Sequence, residues 1–381
     1  MDPKLIATLL NSAQNAAVIG GITALFGLLV ALVDKVVNNY GIVPITINGK
    51  KEVMVKGGSA LLLTLSEQGI FIPSACGGRG SCGACKCQIT SDIGPYMPTE
   101  IPYLTDQEIK ENIHLSCQVK VKAPISIQIP EELFNVKRYP CKVESIRSLT
   151  YDIKELRFKL PPGQVIDYKA GQYAQIIIPP YGKIKESTQR AYSMSSKPSD
   201  KEHIELLIRL VPNGIATTYV HNYIHQGQHA ELVGPFGEFH VRETGATMLC
   251  VAGGSGMAPF KSILHDILEL GGNKRPIWYF FGARAVRDLY YRDEMKELEK
   301  AIPNFHYIEA LSDPHPDDNW QGATGLITDV LDRFLKSTIP QEEQKHMEGY
   351  LCGSPGMINA CIRVMNTNGL DNDKIYFDSF A

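Results

Sequence analysis

Four cysteines spaced C-x5-C-x2-C-x31-C, at Cys76, Cys82, Cys85 and Cys117, constrain this 381-residue chain more than any other feature. Three sit on one short loop, ACGGRGSCGAC, and the fourth comes from far along the chain. A [2Fe–2S] cluster needs four thiolates, two per iron, in a shell little wider than the cluster. Gly77, Gly78, Gly80 and Gly83 lie among the cysteines. Glycine lets a backbone wrap an inorganic core and aim N–H groups at its sulfurs. A zinc site would pair C-x2-C with a second close Cys or His pair, which is lacking here. A disulfide framework belongs to small secreted domains. The plant-type spacing is C-x4-C-x2-C, so one extra residue points to a different ferredoxin branch. Cys87 would share a face with Cys85 in an extended segment and is read as a spare buried thiol.

Length implies two or three domains. A net charge of −3 and the lack of a basic stripe argue against nucleic acid as a partner. Nine cysteines without a secretory pattern fit a reducing compartment. Residues 16–33, AAVIGGITALFGLLVALV, carry no charge. As a helix they would extend about 27 Å, close to the thickness of bilayer hydrocarbon. We read one transmembrane helix, ended by Asp34 and Lys35, with Gly20, Gly21, Gly27, Thr23 and Ala24 as a small-residue packing face. A signal peptide would want more basic residues in front and a small-residue cleavage site behind. If the remainder uses a reduced nicotinamide, it lies in the cytoplasm and the N-terminus lies outside.

The fold class expected is multidomain. Residues 1–40 form the transmembrane anchor and residues 41–130 an α+β, β-grasp ferredoxin domain. Its signals are a hairpin turning at Asn48-Gly49, a helix over 60–68 stopped by Gly69, and a strand holding Leu115, Cys117, Val119 and Val121 on one face. Ile125, Ile127 and Ile129 alternate as a last strand, and residues 130–140 read as a linker. Residues 131–240 read as an antiparallel β-barrel binding FAD. There Arg190 can pair with pyrophosphate, Tyr192 can lie along the isoalloxazine, and the Ser193 hydroxyl can reach its N5 edge. Gly214 and Thr217 open a helix whose amides suit phosphate, and Gly234-Pro-Phe-Gly237 reads as a tight turn.

Residues 241–381 read as an α/β parallel-sheet NAD domain. A strand over 248–252 leads into Gly253-Gly254-Ser-Gly256-Met-Ala-Pro259 and a helix over 260–270, a geometry that seats a dinucleotide pyrophosphate although it is not G-x-G-x-x-G. Further strands are expected at 277–281, 306–311 and 350–352. Gly282-Ala-Arg284 and Cys352-Gly-Ser-Pro355 follow strand ends, where ligands bind in open α/β sheets. Cys352 reads equally well as a buried strand cysteine.

The order ACGGRGSCGACK, LSCQVKVK, RAYSM, GPFGEF, GGSGMAP, FGAR, LSDPHPDDNW, LCGSP, behind one membrane helix, resembles the F subunits of sodium-translocating NADH:quinone oxidoreductases. Residues 131–381 also resemble the ferredoxin–NADP reductase superfamily. The resemblance implies that Arg190, Tyr192 and Ser193 contact FAD, with Gly214 and Thr217 at its pyrophosphate. It implies that Gly253 to Pro259 and Arg284 bind NADH, that Cys352 stands near the nicotinamide C4, and that Phe380 covers the flavin. It further implies a single-pass protein of the cell inner membrane that works with other subunits of a redox complex and reaches quinone indirectly. The family usually carries a longer insertion between Tyr181 and Arg190, where only GKIKESTQ stands here.

The expected activity is hydride transfer from NADH to FAD, then single electrons to the cluster and on to the membrane partner. Ser193 and Cys352 are the catalytic candidates. The alternatives are a reductase serving an oxygenase, or a component of a different membrane redox complex.

Overall fold

The computed structural model describes residues 3–37, 39–272 and 275–380; the side chains of 3–13 and 34–37 lie outside that description, Asp34 and Lys35 among them. Helix α1 (Pro3–Val37) runs 35 residues. Within it Gln14–Val33 has a mean hydropathy of 2.5, and none of it is buried against protein. Twenty such residues extend about 30 Å, the thickness of bilayer hydrocarbon. By length and composition α1 suits a membrane anchor.

By packing the chain divides into two units, Met1–Gln68 with Lys86–Ile129, and Gly69–Cys85 with Pro130–Ala381. The first holds a mixed sheet. Strand β1 (Ile42–Ile47) pairs antiparallel with β2 (Lys51–Lys56), and Asn48 and Gly49 turn between them at φ 53° and 64°. Helix α2 (Leu61–Glu67) follows, and Gly69 at φ 73° lies just past its end, the left-handed conformation glycine adopts without strain. Then come β3 (Lys86–Ile89), α3 (Asp106–Lys110), β4 (Ile113–Leu115) and β5 (Ile125–Gln128). The sheet order is β2-β1-β5-β3-β4, with β5 parallel to β1. Ile45, Ile47, Leu61 and Leu65 are fully buried, the mark of a small sheet crossed by a helix. One expectation fails here. Cys117 is not in a strand: β4 ends at Leu115, and a turn follows in which Gln118 N–H donates to the Leu115 carbonyl. The chain leaves the sheet because Val119 accepts from Leu61 N–H and Lys120 bridges to Ala60, which ties it to the start of α2.

In the second unit a short 3-10 helix (Glu131–Asn135) precedes the flavin-type barrel. Its strands are β6 (Lys137–Ser148), β7 (Ile153–Lys159), β8 (Tyr173–Ile178), β9 (Thr188–Ser193), β10 (His203–Arg209) and β11 (His229–Phe236), with helix α4 (Ile215–Asn222) between the last two. The order β10-β7-β6-β11-β8-β9 is antiparallel throughout, and a bridge between Met194 and Leu206 joins its two edges into a barrel. Two sequence expectations are corrected. The segment read as a linker already contains β6, in which Pro140 pairs with Glu231. Gly234-Pro-Phe is the bulged end of β11 rather than a turn, its register shifting between Val233 and Phe236.

The last sheet is wholly parallel, in the order β15-β14-β13-β12-β16-β17: β12 (Met248–Gly253), β13 (Ile277–Ala283), β14 (Phe305–Leu311), β15 (Ala323–Thr324), β16 (Glu348–Gly353) and β17 (Ile375–Ser379). Helices α5 (Met257–Glu269), α6 (Arg292–Ala301), α7 (Ile327–Thr338), α8 (Gln341–Gln344) and α9 (Pro355–Thr367) connect them. Side-chain alternation splits the core in two. Cys250, Ala252, Tyr279, Phe281 and Cys352 pack with Phe260 of α5 on one face. Leu249, Val251, Phe280 and Leu351 pack with Leu331 of α7 and Cys361 of α9 on the other. Strand β17, unanticipated from the sequence, brings the C-terminus back along β16.

Candidate functional site

A cleft of about 980 Å³ opens in the larger unit. That is the upper end of the range for cofactor sites. Ala75, Cys76, Arg79, Ser81 and Cys82 of the cysteine loop line it, with Arg190, Tyr192 and Ser193 from β9. Gly214 and Thr217 of the α4 entrance, Gly253 and Gly254 of the glycine loop, Arg284 and Phe380 line it too. Of the other candidates, Gly256, Pro259 and Cys352 are buried behind the lining, and Cys85 and Cys117 are not part of it.

The cysteine loop has the backbone that the sequence calls for. Gly77, Gly78, Gly80 and Gly83 all have φ between 67° and 86°. The N–H of Arg79 donates to Cys76 Sγ at 3.3 Å and that of Ala84 to Cys82 Sγ at 3.5 Å. A hydrogen bond with Cys82 pulls the Cys76 thiol down to about 4, and the same contact pushes the Cys82 thiol up. Two neighbouring thiols, each accepting a backbone N–H, form a donor set that fits iron–sulfur ligation. Gln118 Nε2 donates to Cys117 Sγ at 3.4 Å. Burial pushes Cys87 up to about 12, the state of an ordinary core thiol. Among the described residues no three His, Cys, Asp or Glu side chains gather as ligands for a single ion; a two-iron core divides its thiolates into two pairs.

The loop is seated on the barrel. Phe71 packs with Val233 and Phe236. Gln175 Nε2 donates to the Ser74 carbonyl at 2.9 Å, and Ser74 Oγ accepts from Gly78 N–H. Arg190 Nη1 donates to the Cys76 carbonyl at 2.9 Å, as well as to Thr188 Oγ1 and the Gln189 carbonyl. Burial and the neighbouring charge of Arg79 hold the Arg190 guanidinium below its usual pKa.

Ser193 Oγ donates to Asp378 Oδ2 at 2.7 Å. Burial raises the Asp378 carboxyl, with the Ser193 hydroxyl pulling the other way. Cys352 pairs with Asp378 across β16 and β17 and is fully buried. Burial and the Asp378 charge raise its thiol pKa, which disfavours a thiolate nucleophile there. Phe380 reaches the cleft because its N–H donates to the Gly353 carbonyl at 2.9 Å.

The glycine loop enters a 3-10 turn (Gly254–Gly256) and continues directly into α5, three residues earlier than expected. Pro259 is tolerated there because N–H groups of a first turn need no helical partner. Tyr290 OH donates to the Gly254 carbonyl at 2.7 Å and fixes the turn. Gly254 sits under Arg209, whose Nε pairs with Asp152 at 2.7 Å. Arg284 pairs with Asp313 at 3.1 Å. Gly214 caps α4, and a Cβ there would lie 2.6 Å from Thr217 Oγ1, a hydroxyl already shared with Val211. Glycine loop and Cys352-Gly353 terminate adjacent strands at the reversal of strand order, the usual ligand crevice of an open α/β sheet.

Sequence reasoning missed Asp378, Arg209 and Arg79. A carboxylate in the terminal FDSF and an arginine at a strand end next to VPNG were the signals available.

A flavin-type barrel and a doubly covered parallel sheet, sharing a cleft with a glycine-rich cysteine loop, define a ferredoxin-reductase-type flavoprotein with an iron–sulfur domain. Three family models match in that order: a 2Fe-2S iron-sulfur cluster binding domain over residues 45–122, an oxidoreductase FAD-binding domain over 140–241 and an oxidoreductase NAD-binding domain over 250–363. The chain belongs to the family of F subunits of Na(+)-translocating NADH-quinone reductases. It is 37% identical to the F subunit of that reductase in Marinomonas sp. (strain MWYL1), over 94% of this chain and 96% of that one. It is also 37% identical to that of Klebsiella pneumoniae, over 94% and 97%. In fold it is similar to the Amycolatopsis cytochrome P450 reductase GcoB, with a TM-score of 0.70 and 23% identity over 89% of this chain and 98% of that chain.

Proposed function

We propose that this chain is the NADH-oxidising component of a multisubunit membrane complex of the sodium-translocating NADH:quinone reductase type. The carrying observation is that the cysteine loop lines the same cleft as the flavin and nicotinamide motifs, so entry and exit of electrons share one site. When bound, FAD accepts a hydride from NADH and releases electrons singly, and the [2Fe–2S] cluster carries one at a time. Cys76, Cys82, Cys85 and Cys117 are the proposed ligands. Arg190, Gly214 and Thr217 would hold the flavin phosphates, and Tyr192 would lie along the ring; all four line the cleft. Ser193 would offer its hydroxyl oxygen to the flavin N5 edge, its proton being donated to Asp378, which fixes the group. Gly253, Gly254, Gly256, Pro259 and Arg284 seat the nicotinamide dinucleotide. Cys352, buried behind the lining, would back the nicotinamide end of the cleft without touching solvent, and Phe380, which lines the cleft, would cover the flavin.

Residues 1–40 serve as a single-pass anchor of the inner membrane, and 41–130, 131–240 and 241–381 as the ferredoxin, FAD and NAD domains. Because NADH is cytoplasmic, these domains lie on the cytoplasmic side. The electrons go to other subunits and reach ubiquinone indirectly. The exposed apolar α1 and the names of the relatives support this over a soluble reductase serving an oxygenase. Full-length protein loaded with both cofactors is expected to oxidise NADH with an artificial dye as acceptor and to show a reduced-cluster EPR signal. Loaded protein that leaves NADH untouched would end the proposal.

A further inference from the structure

Arg79 puts into the flavin cleft a guanidinium that none of the roles above uses. It is exposed, it lines the cleft beside Arg190, and among the described residues no carboxylate pairs with it. Two other arginines of the cleft are neutralised, Arg209 by Asp152 and Arg284 by Asp313. Arg190 is not, since its hydrogen bonds go to the Cys76 and Gln189 carbonyls and the Thr188 hydroxyl. Arg79 and Arg190 stand close enough for one charge to act on the other. Two guanidiniums without a carboxylate partner facing one cleft offer a doubly charged anion charge-assisted hydrogen bonds from both sides.

The loop that carries Arg79 is held against β9. A Cβ at Gly77 would lie 2.8 Å from the Gln189 carbonyl oxygen, and Ser74 is fastened by Gln175. We propose that Arg79, carried on the cysteine loop, is a second guanidinium for the flavin pyrophosphate, so that the iron–sulfur loop is itself part of the flavin site. This rests on the reading of Arg190 as a pyrophosphate contact. By linkage, flavin binding then steadies the cysteine loop, and seating of the loop raises flavin affinity by the same factor.

The test uses full-length protein stripped of flavin but retaining its cluster. It is titrated with FAD and, separately, with riboflavin, and quenching of flavin fluorescence is followed. Arg79→Ala is expected to weaken FAD binding roughly 10- to 100-fold, the range for a lost charge-assisted contact. Arg79→Lys should recover part of the loss. Riboflavin, which has no phosphate, should bind native and variant proteins alike. Visible circular dichroism of the cluster should be unchanged; should alanine disturb it, Arg79→Gln takes its place. Native FAD affinity in the variant overturns the proposal, and so does an equal loss for FAD and riboflavin. Arg190→Ala with unchanged FAD affinity would instead remove the underlying flavin reading.

Discussion

Replacing Gly256 by alanine isolates one steric contact. Gly256 has φ −63°, a helical value that alanine adopts freely, so no backbone strain enters. In open space the change would be neutral or slightly stabilising. Here the new Cβ would stand 2.2 Å from the Cys352 carbonyl oxygen, 2.7 Å from its carbon and 3.2 Å from Gly353 N. Those are backbone atoms of a central strand and cannot swing aside. Restoring van der Waals contact requires the glycine loop and β16 to part by about 1 Å. Overpacking of this kind costs about 1–3 kcal/mol, which lowers the melting temperature by several degrees. The loop amides move with it, so NADH binding should weaken roughly tenfold, about 1.4 kcal/mol. FAD content should hold, because the barrel side of the cleft is untouched. Gly356→Ala is the control, with nothing within 4 Å of its added carbon. Scanning calorimetry and NADH titration give the two readouts. A Gly256→Ala protein with native melting temperature and native NADH affinity would refute the close approach.

Further outcomes are expected elsewhere. Lys261 of α5 is 8% exposed and pairs with Glu205 of β10 at 2.9 Å; Lys261→Met should cost about 1.5–2 kcal/mol in denaturant unfolding, because Glu205 loses one charged hydrogen-bond partner and keeps Arg157. An unchanged midpoint would show the pair to be idle. The Asp378 carboxyl has a folded pKa above its unfolded value. Its protonated form therefore stabilises the fold below the usual aspartate range, near pH ~4, and that contribution is lost as pH rises through the raised folded value. Asp378→Asn should gain stability relative to native as pH rises from about 4, and parallel stability curves would contradict the assignment. Serine at Cys76, Cys82, Cys85 or Cys117 should abolish two-iron content by metal analysis, whereas Cys87→Ser should keep it; iron loss in the Cys87 variant would redraw the ligand set.

Local features were legible from residue type. Asn48-Gly49 turns the first hairpin because both positions take positive φ, and Gly69 lies beyond the end of α2 for the same reason. The apolar run 248–252 had to be a covered strand, and a glycine loop after it had to open a helix. Boundaries that depend on a partner were not legible. Cys117 read as a strand residue because Leu115, Val119 and Val121 alternate, yet the hydrogen bond from Leu61 N–H to Val119 draws that segment out of the sheet. GPFG read as a turn because its composition is that of one, but the neighbouring strand β8 absorbs it as a bulge.

By itself the sequence determined which chemistries this chain can support, since cysteine spacing, glycine loops and an uncharged apolar helix act through backbone freedom and side-chain type over a few residues. Only the tertiary structure decided what faces what. Ser193 meets Asp378 across 185 positions, and Arg190 reaches the Cys76 carbonyl across 114. Such pairs have no local signature, because each partner is positioned by its own strand or loop, and their meeting follows from how barrel, parallel sheet and cysteine loop pack their apolar faces together.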